Sequence, residues 1–264
     1  MNFSKIGRYL LIPFAVFVSF VPIIDPLNVF SSLRNTAFDL FQNISPRESI
    51  SSDAVIVLDI DEKSLSKIGQ WPWPREQFCE LLQAEVTGLA VLFPEKDRYG
   101  TDAQLANCML DNRTVIAAAG SNSVYSGKPP HVGTAAIGED PKPFLFSYQG
   151  VLNNVPELEA AAKGNGITST APELDGLVRR VPLLFNISDT LYPSFGLDML
   201  RTLAGSPSYS LKTGETGVEA LRVRNFPIIN TDSNGRIIFD GPINTEEERN
   251  KLGKDFKFIC KFSI

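Results

Sequence analysis

The clearest group of side chains that could do chemistry lies near residue 60, where acidic residues follow an apolar run. The run Val55–Leu58 leads directly into Asp59, Asp61 and Glu62. If the run is a strand, these acids stand at its carboxyl end, which is where open α/β sheets place their ligand sites. Carboxylate oxygens at such a place could hold a divalent cation. An equally open interpretation is that Asp61 caps a helical turn that begins at Glu62.

Two tryptophans alternate with prolines shortly after this acidic group. Aromatic rings around a concave surface can form the wall of a ligand pocket. More often such rings fill the edge of a core and stiffen a loop, and we place this structural role first for Trp71 and Trp73. Arg75 follows in the first turn of the next predicted helix. We expect it to pair with an acid such as Asp59 or Asp61.

A second polar group follows the predicted strand Leu89–Phe93 and comprises Glu95, Asp97, Arg98 and Asp102. Polar groups of this kind mostly form solvated loops. Because ligand sites in parallel α/β sheets open at the carboxyl ends of the strands, the two polar groups are predicted to share one pocket. The predicted pocket consists of seven residues, namely Asp59, Asp61, Trp71, Trp73, Arg75, Asp97 and Arg98. Farther along, Arg179 and Arg180 either bind an anion or lie on a solvated strand edge.

Composition excludes several classes of function. The chain of 264 residues has a formal net charge of -5, and binding to nucleic-acid phosphates favours a basic face instead. His131 is the one histidine, so a Ser-His-Asp mechanism would depend on it alone, and nothing near it in the sequence supplies the other members. No C-x-x-C spacing exists, which argues against a zinc site. Cys79 and Cys108 are interpreted as small apolar core residues, with a disulfide between them as the alternative.

The uncharged segment Tyr9–Ile24 is slightly shorter than the roughly 20 residues that cross a bilayer as a helix. Lys5 and Arg8 precede it and Asp25 follows it, a charge asymmetry that places its carboxyl side outside the cytoplasm. A cleaved signal peptide has a similar start. No small-x-small cleavage site follows, so a retained membrane anchor is favoured.

Hydrophobic spacing and turn residues predict an α/β fold, with a mostly parallel or mixed sheet and flanking helices, preceded by one transmembrane helix. Helices are predicted over residues 28–43, 63–68, 74–84, 102–110, 158–163 and 194–203. Strands are predicted over residues 55–60, 89–93, 115–119, 178–185, 223–226 and 236–239, the last two separated by a turn at 232–235. Residues 120–155, rich in Gly, Pro and Ser, are predicted to form a long surface loop.

Four segments together resemble the CHASE domain of type two, a family of extracytoplasmic sensory domains. The segments are VIVLDIDEKSL, GQWPWPR, FPEKDRYGTD and DGLVRRVPL, which begin at Val55, Gly69, Phe93 and Asp175. The resemblance runs from about Phe38 to about Gly241, and the pairing of the first two segments is its specific part. It implies an amino-terminal membrane helix, further membrane helices after the domain, and an output domain such as a cyclase, a diguanylate cyclase or a kinase.

The chain departs from the family pattern at two places. The strand within Gly88–Phe93 is shorter than expected and lacks an Asp. After Gly241 an apolar strand pair, a Gly-rich turn and a second membrane segment are expected but missing. We therefore expect the chain to be a fragment, or to have a reading frame disrupted near Asn244, and to lack an output domain of its own.

The spacing of Asp59 and Asp61 is also similar to that of the haloacid dehalogenase phosphatases. In that family the first Asp is a nucleophile and the second a general acid, with Mg²⁺ present. Lys63 stands where that family prefers Thr or Val, and no paired-Asp metal motif follows a later strand. The prediction is therefore a sensor without catalytic activity. The alternatives are an outward-facing phosphatase-like enzyme that uses Asp59 and Asp61, or a secreted binding protein.

The predicted organisation is a membrane anchor over residues 1–27, an extracytoplasmic sensor domain over residues 28–243 and a polar tail over residues 244–264. The predicted partners are an unidentified small-molecule or ionic ligand and the membrane, the latter through residues 9–24. Homodimer formation is left open, and neither a cofactor nor a nucleic acid is expected. Most of the chain is predicted to be periplasmic or extracellular, within a two-component or cyclase-associated receptor.

Overall fold

The structure is a computed structural model that describes residues 29–45, 56–123, 127, 130, 132–170, 172–173 and 175–238. The chain divides into two compact units, one formed by Met1–Asp53 with Asp240–Asp255 and the other by Ala54–Phe239 with Phe256–Ile264. Of the described residues, 29–45 belong to the first unit and the others to the second. The predicted anchor, His131 and the polar tail lie outside the described residues. No helix in the described part of the chain is both long and apolar enough to cross a bilayer.

Helices form largely where apolar residues recur at helical spacing. The α-helices are α1 (Val29–Ile44), α2 (Glu62–Ile68), α3 (Asp102–Asp111), α4 (Pro156–Ala161) and α5 (Phe195–Leu203). All five were predicted to within a few residues. The helix predicted over residues 74–84 is instead a shorter 3₁₀ helix, Arg75–Leu81, and a second 3₁₀ helix spans Lys142–Phe144. Ser194 accepts a hydrogen bond from the Leu197 amide and so caps α5.

The strands are short and belong to several sheets. They are β1 (Thr87–Leu89), β2 (Thr114–Ser121), β3 (Gly133–Gly138), β4 (Phe146–Tyr148), β5 (Gly150–Leu152), β6 (Gly164–Ile167), β7 (Arg180–Pro182), β8 (Leu184–Ile187), β9 (Thr190–Pro193), β10 (Ser208–Gly214), β11 (Gly217–Val223), β12 (Ile229–Asn230) and β13 (Arg236–Ile238).

Parallel and antiparallel pairings are mixed, which confirms the predicted mixed α/β class. Strand β2 pairs in parallel with β1 and β6 and antiparallel with β5. Strand β10 pairs in parallel with β3 and antiparallel with β11, whose other neighbour is β12. A three-stranded sheet contains β4, β8 and β9, and a two-stranded sheet contains β7 and β13.

The strand predicted over residues 55–60 is wrong where the structure describes it, because residues 56–60 have no regular secondary structure. The side chain of Val57 is buried, whereas Ile56 is 69% exposed. The apolar run is therefore not covered on both faces, as a central strand would be. The strand predicted over residues 89–93 is also displaced, because β1 ends at Leu89. The amide of Phe93 instead donates to the Asn154 side chain (2.7 Å).

Residues 120–155 are not the continuous surface loop that was predicted, because β3, β4 and β5 lie within them. These strands are short, and they pair with β10, β8 and β2, which are distant in sequence, so periodicity alone did not indicate them. The strand predicted over residues 223–226 is wrong, since β11 ends at Val223. The predictions over residues 115–119 and 236–239 are confirmed by β2 and, for its described residues, by β13.

One buried apolar cluster joins the 3₁₀ helix Arg75–Leu81 to α3, α4, β1 and β2. Its side chains pack between these elements. They are Phe78, Leu82, Leu89, Phe93, Leu105, Met109, Ile116, Val155, Leu158 and Ala161. Burial of large apolar side chains supplies most of the free energy that holds such elements together. The cluster supports the segments that carry most of the predicted site residues.

Candidate ligand-binding site

The Trp-Pro segment is fixed at its amino end by the termination of α2. Gly69 ends this helix with a φ of 113°, a conformation that favours glycine, and its amide donates to the Leu65 carbonyl. The Trp73 indole Nε1 then donates to the Gly69 carbonyl at 2.7 Å. Trp73 is buried at 7% exposure, whereas Trp71 remains 42% exposed. The segment is thus anchored by one tryptophan and presents the other at the surface.

Four aromatic rings form a chain of edge-to-face contacts. Trp71 contacts Trp73 with ring centroids 5.7 Å apart and Phe78 at 6.0 Å. Phe78 in turn contacts Phe93 at 5.6 Å. Edge-to-face geometry is a favourable arrangement for aromatic pairs. The chain of rings connects the exposed Trp71 to the buried apolar cluster.

Arg75 begins the 3₁₀ helix, and its guanidinium is held from several sides. The Nη2 atom donates to the Glu95 carbonyl at 2.8 Å, and the guanidinium carbon lies 4.2 Å from the centroid of the Phe93 ring. The Nε atom is 3.6 Å from Asp102 Oδ1. The expected pairing of Arg75 with Asp59 or Asp61 is therefore wrong. Burial lowers the pKa of Arg75, while the charges of Asp102 and Asp97 act in the opposite direction.

Asp97 ties the Arg75 segment to the start of α3. One of its carboxylate oxygens accepts hydrogen bonds from the Arg75 amide (3.3 Å), the Thr101 amide (3.1 Å) and the Thr101 hydroxyl. Its own amide donates to the Asp102 carboxylate at 2.8 Å. Burial raises the pKa of Asp97, but the hydrogen bonds from Thr101 and its neighbours outweigh this effect and lower the pKa.

Arg98 reaches back to the Trp-Pro segment from the same loop. Its Nη2 atom donates to the Pro72 carbonyl (3.3 Å) and to the Tyr99 hydroxyl (2.8 Å). The guanidinium also lies 4.7 Å from the centroid of the Tyr99 ring. These contacts join the loop after β1 to the Trp-Pro segment.

The Trp-Pro segment and the loop after β1 line an open cleft of about 170 Å³, which we call the Trp71 cleft. Its lining residues are Trp71, Pro72, Trp73, Arg75, Phe78, Leu92, Phe93, Pro94 and Glu95. Of the seven residues predicted to share a pocket, Trp71, Trp73 and Arg75 line this cleft. Asp97 and Arg98 do not line it, but they bond to the backbone of residues that do.

Asp59 and Asp61 are not among the residues that line the cleft. Asp59 is exposed and makes no hydrogen bond or ion pair with the described residues. Asp61 caps α2, since its Oδ1 atom accepts from the Ser64 amide and the Ser64 hydroxyl, each at 2.8 Å. The hydrogen bond from the Ser64 amide is the main cause that lowers the pKa of Asp61. The capping interpretation is confirmed, and residues 56–60 form no strand that would bring these acids to a sheet edge.

Two other expectations from the sequence are settled by neighbouring side chains. Cys79 and Cys108 form a disulfide between the 3₁₀ helix and α3, so the interpretation of both as free core residues is wrong. Arg179 is buried and paired with Glu173 and Asp175, and Arg180 also pairs with Glu173. These ion pairs neutralise the positive charges of the two arginines that were considered for anion binding.

Several residues of the cleft were not predicted from the sequence. Phe78 was assigned to a predicted helix, Leu92 and Phe93 to a strand, and Pro94 to the loop after it. Apolar residues carry no local signal of lining a cleft. Asp102 was part of the second polar group, but its partner Arg75 lies too far away in sequence to be recognised. Among the residues that the structure describes, no three His, Cys, Asp or Glu side chains form a cluster that could hold a metal ion.

Comparison with known protein families identifies a sensory domain family. The family model of the CHASE2 domain matches residues 13–252, which is most of the chain. No curated protein and no solved structure shows a significant match. The match includes the Trp71 cleft and both polar groups that were identified in the sequence.

Proposed function

The chain belongs to the CHASE2 domain family, a sensory family of signalling proteins, and from this premise we propose that it is the ligand-binding domain of an extracytoplasmic receptor. The observation that supports the proposal is the Trp71 cleft. It is lined by four aromatic residues, of which Trp71 is 42% exposed, together with one arginine and one glutamate. Aromatic side chains beside a few polar groups are usual for small-molecule sites. The family is not catalytic, in agreement with a binding role.

Ligand binding in this cleft would connect two segments that are distant in sequence. Trp71, Trp73 and Phe78 belong to the segment around the 3₁₀ helix, and Phe93 and Glu95 belong to the loop after β1. A ligand that contacts both segments stabilises their mutual arrangement, because it binds the folded state alone. This stabilisation is the local event on which signalling would depend.

A thermal-shift screen of the purified full chain against small metabolites tests the binding role. At least one compound should raise the melting temperature, by mass action, and the shift should disappear in Trp71→Ala. Phe41→Ala is the matched control, because Phe41 is an exposed aromatic residue (68%) that does not line the cleft. A stabilising compound that acts equally on both variants would place the ligand site elsewhere.

We also propose that residues 9–24 anchor the chain in the membrane and that the bulk of it lies outside the cytoplasm. The charge asymmetry around this segment and the extracytoplasmic character of the family support this orientation. An alkaline phosphatase fusion after Gly241 should be active, since that reporter folds outside the cytoplasm. An inactive fusion would contradict the orientation. Release of the chain from membranes after processing would instead favour the secreted binding protein.

The geometry does not favour the phosphatase alternative. A nucleophile and a general acid must both reach one substrate, yet Asp61 is engaged as the cap of α2, and residues 56–60, which include Asp59, form no strand. We therefore propose that the chain has no phosphatase activity. Hydrolysis of a phosphate ester with magnesium by the purified chain, lost in Asp59→Asn, would contradict this.

A further proposal concerns association of two copies. Helix α1 has no buried residue, and Leu33, Leu40 and Ile44 are each more than half exposed. Together with Ala37 they follow the alternating spacing of three and four residues that is typical of a coiled-coil seam. We propose that two copies of the chain pair through this seam.

A further inference from the structure

We infer that strand β3 (Gly133–Gly138) is an interaction surface, at which a second copy of this chain adds its own β3 as an antiparallel neighbour. This contact is separate from the pairing of α1. It rests on the proposed membrane anchoring, which would bring the copies together, and not on the ligand-binding role of the Trp71 cleft. Three features support it, namely an open sheet edge, small uncharged side chains along that edge, and acidic residues at its end.

Strand β3 leaves one edge of its sheet open. It is the end strand of a four-stranded sheet in the order β12, β11, β10 and β3, and it pairs in parallel with β10. Just beyond it, the Glu139 amide donates to the Thr213 carbonyl of β10 at 3.1 Å. Backbone groups of successive strand residues point to opposite edges, so the odd-numbered residues bond toward β10. The N–H and C=O groups of Thr134 and Ala136 therefore point to the other edge, where they pair with no described residue.

The open edge of β3 lacks the features that usually keep sheet edges from pairing, which are short length, charged side chains, proline and bulges. The strand has six residues, with neither a charged residue nor a proline among them. Every other described strand that pairs on one side only has four residues or fewer. The irregularity in this sheet lies between β10 and β11. All six residues except Thr134 are exposed, and Ile137 is 64% exposed, so a further strand can reach the edge.

The side chains of β3 favour an identical strand over a foreign peptide. Sheets that bind peptides along an edge select them through pockets that hold alternate side chains. The sequence GTAAIG places mainly glycine, alanine and threonine along the edge, and these residues are too small to form the walls of such pockets. A second β3 needs no such selection, because its length and its small uncharged side chains match those of the first.

The charge at the end of β3 favours antiparallel pairing. Glu139 and Asp140 follow the strand, and both are exposed. In a parallel pair, these acids of the two copies would lie side by side, and like charges opposite each other destabilise a sheet. Antiparallel pairing places them at opposite ends. It also obeys the two-fold symmetry that is usual for two identical chains.

Backbone direction and side-chain size select the register. Residues with free backbone groups must face one another, so even-numbered residues of one copy lie opposite even-numbered residues of the other. A register centred on Ala136 sets Ile137 of each copy beside Ala135 of the other. In the register centred on Ala135, Ile137 would lie beside Gly133, which has no side chain to contact. The contact therefore places Ala136 opposite Ala136 of the second copy.

A single strand pair is a weak contact between free chains. A six-residue strand covers a strip about 20 Å long and about 10 Å deep on each copy, or roughly 400 Å² in total. Stable complexes bury at least about 1,200 Å². Anchoring by residues 9–24 would raise the local concentration of the copies, and the pairing of β3 depends on it.

Cysteine cross-linking of the full chain in membranes tests the contact. In a Cys260→Ser background, Ala136→Cys should form a disulfide-linked dimer on mild oxidation, because the Cα atoms of such a strand pair are about 5.5 Å apart. Ala135→Cys is the matched control, since it is the adjacent exposed alanine. Its Cα would lie roughly 8 Å from its counterpart, which is too far for a disulfide. Equal cross-linking of the two variants, or none in either, would overturn the inference.

A proline variant tests the role of the backbone. When they are produced together, Ala135→Cys chains and Ile137→Cys chains should cross-link to each other, because these positions lie opposite. Adding Ala136→Pro to both chains should abolish that product, since proline removes the N–H that points to the open edge. The melting temperature should change little, because proline is tolerated where the N–H of an edge strand faces solvent. A product that survives the proline, or a large fall in melting temperature, would show that this N–H does not serve a second copy.

Failure of the anchoring and failure of the β3 contact give different results. A chain that does not sediment with membranes contradicts the anchoring. A chain that sediments with membranes but forms no Ala136→Cys dimer contradicts the β3 contact alone. A cross-linked product whose mass is not twice that of the chain would identify a foreign strand as the partner and would overturn the assignment of a second copy.

Discussion

Asp97 determines the geometry next to the cleft although it does not line it. The acceptor oxygen that binds Thr101 also accepts from the Arg75 amide, so one carboxylate joins the 3₁₀ helix to the first turn of α3. We expect Asp97→Asn to lower the free energy of unfolding by about 1 kcal/mol near neutral pH, because charge-assisted hydrogen bonds become neutral ones. Urea unfolding followed by tryptophan fluorescence measures this loss.

The effect of Asp97→Asn depends on pH with a defined sign. The pKa of Asp97 lies below its ordinary value of 3.8 in the folded chain, so the carboxylate stabilises the folded state at pH values above 3.8. This contribution disappears as the pH falls through the lowered pKa. The difference between the two proteins should therefore be constant near neutral pH and shrink below 3.8. Glu95→Gln is the control, since the Glu95 side chain makes no hydrogen bond with the described residues, and an equal loss there would contradict the role of Asp97.

Glu159 gives a pH dependence of the opposite sign. Its side chain is buried at 8% exposure and accepts from the Asn154 amide (3.0 Å) and the Asn153 side chain (3.2 Å). Burial raises the pKa of Glu159 above its ordinary value of 4.5, against these hydrogen bonds. Between 4.5 and the raised pKa the folded chain binds more protons than the unfolded chain. The free energy of unfolding therefore decreases as the pH rises through this window.

We expect the variant Glu159→Gln to lack that decrease, because an amide does not ionise in this range. The stability of the unaltered chain relative to the variant should fall between about pH 4 and the point where Glu159 is fully ionised. Chemical unfolding of both proteins across this range measures the slope. A relative stability that rises with pH would show that the hydrogen bonds outweigh burial at this site.

At the scale of elements, the disulfide is the covalent connection between the 3₁₀ helix and α3. Cys79 and Cys108 are 29 residues apart in sequence, and their elements also meet through Phe78, Leu105 and Met109. A closed loop of this length restricts the unfolded chain, so its loss typically costs about 2–4 kcal/mol. We expect the double variant Cys79→Ala with Cys108→Ala to lose that amount of stability and to remain folded through the shared core.

The matched control for the disulfide is Cys260→Ser, which leaves the bridge intact and should unfold like the unaltered chain. Denaturant unfolding without reductant compares the three proteins. Equal stability of the double variant and the control would show that the bridge does not constrain the unfolded state.

Helices and the Trp-Pro segment could be predicted from the sequence because their signals are local. The cap Asp61, the stop at Gly69 and the apolar spacing of α3 and α5 each lie within a few residues of the element they determine. The strands could not be predicted as well, because their partners are distant. Strand β3 pairs with β10, and the Phe93 amide bonds to Asn154. The neighbouring residues therefore do not indicate where β3 lies or why the strand predicted over residues 89–93 ends earlier.

The same distinction explains the outcome for the site. Trp71, Trp73 and Arg75 adjoin in sequence, and they lie together in the structure. Their link to Asp59 and Asp61 rested on a strand at residues 55–60 that the described residues do not form. The ion pair between Arg75 and Asp102 depends instead on how α3 packs against the 3₁₀ helix. Tertiary packing, which local patterns do not report, selected the partner.

At the scale of the whole molecule, the family match extends over both compact units, while the Trp71 cleft belongs to the second. The first unit contributes α1, whose polar residues include only two charged side chains, Arg34 and Asp39. A helix that binds an anionic membrane surface carries a basic face. The near-neutral polar face and the seam at Leu33, Leu40 and Ile44 favour pairing with a like helix instead.

Pairing through α1 should be weak for free chains and stronger for anchored ones. The helix has 16 residues and is therefore about 24 Å long, which is too short for a stable coiled coil in isolation. Anchoring by residues 9–24 would raise the local concentration and hold two helices parallel, since both enter from the same side. In a parallel pair, Leu33 faces Leu33 of the second copy, and Leu40 faces Leu40.

Cysteine cross-linking of the full chain in membranes tests this arrangement. In a Cys260→Ser background, Leu33→Cys and Leu40→Cys should form disulfide-linked dimers on mild oxidation. Ser32→Cys is the matched control, because it is adjacent and exposed but lies about 100° around the helix from Leu33. α1 has no buried residue, so none of these changes removes core packing. Equal cross-linking of Ser32→Cys would show that the chains collide at random. The helices would be antiparallel if a Leu33→Cys chain cross-links to a Leu40→Cys chain more than each variant cross-links to itself.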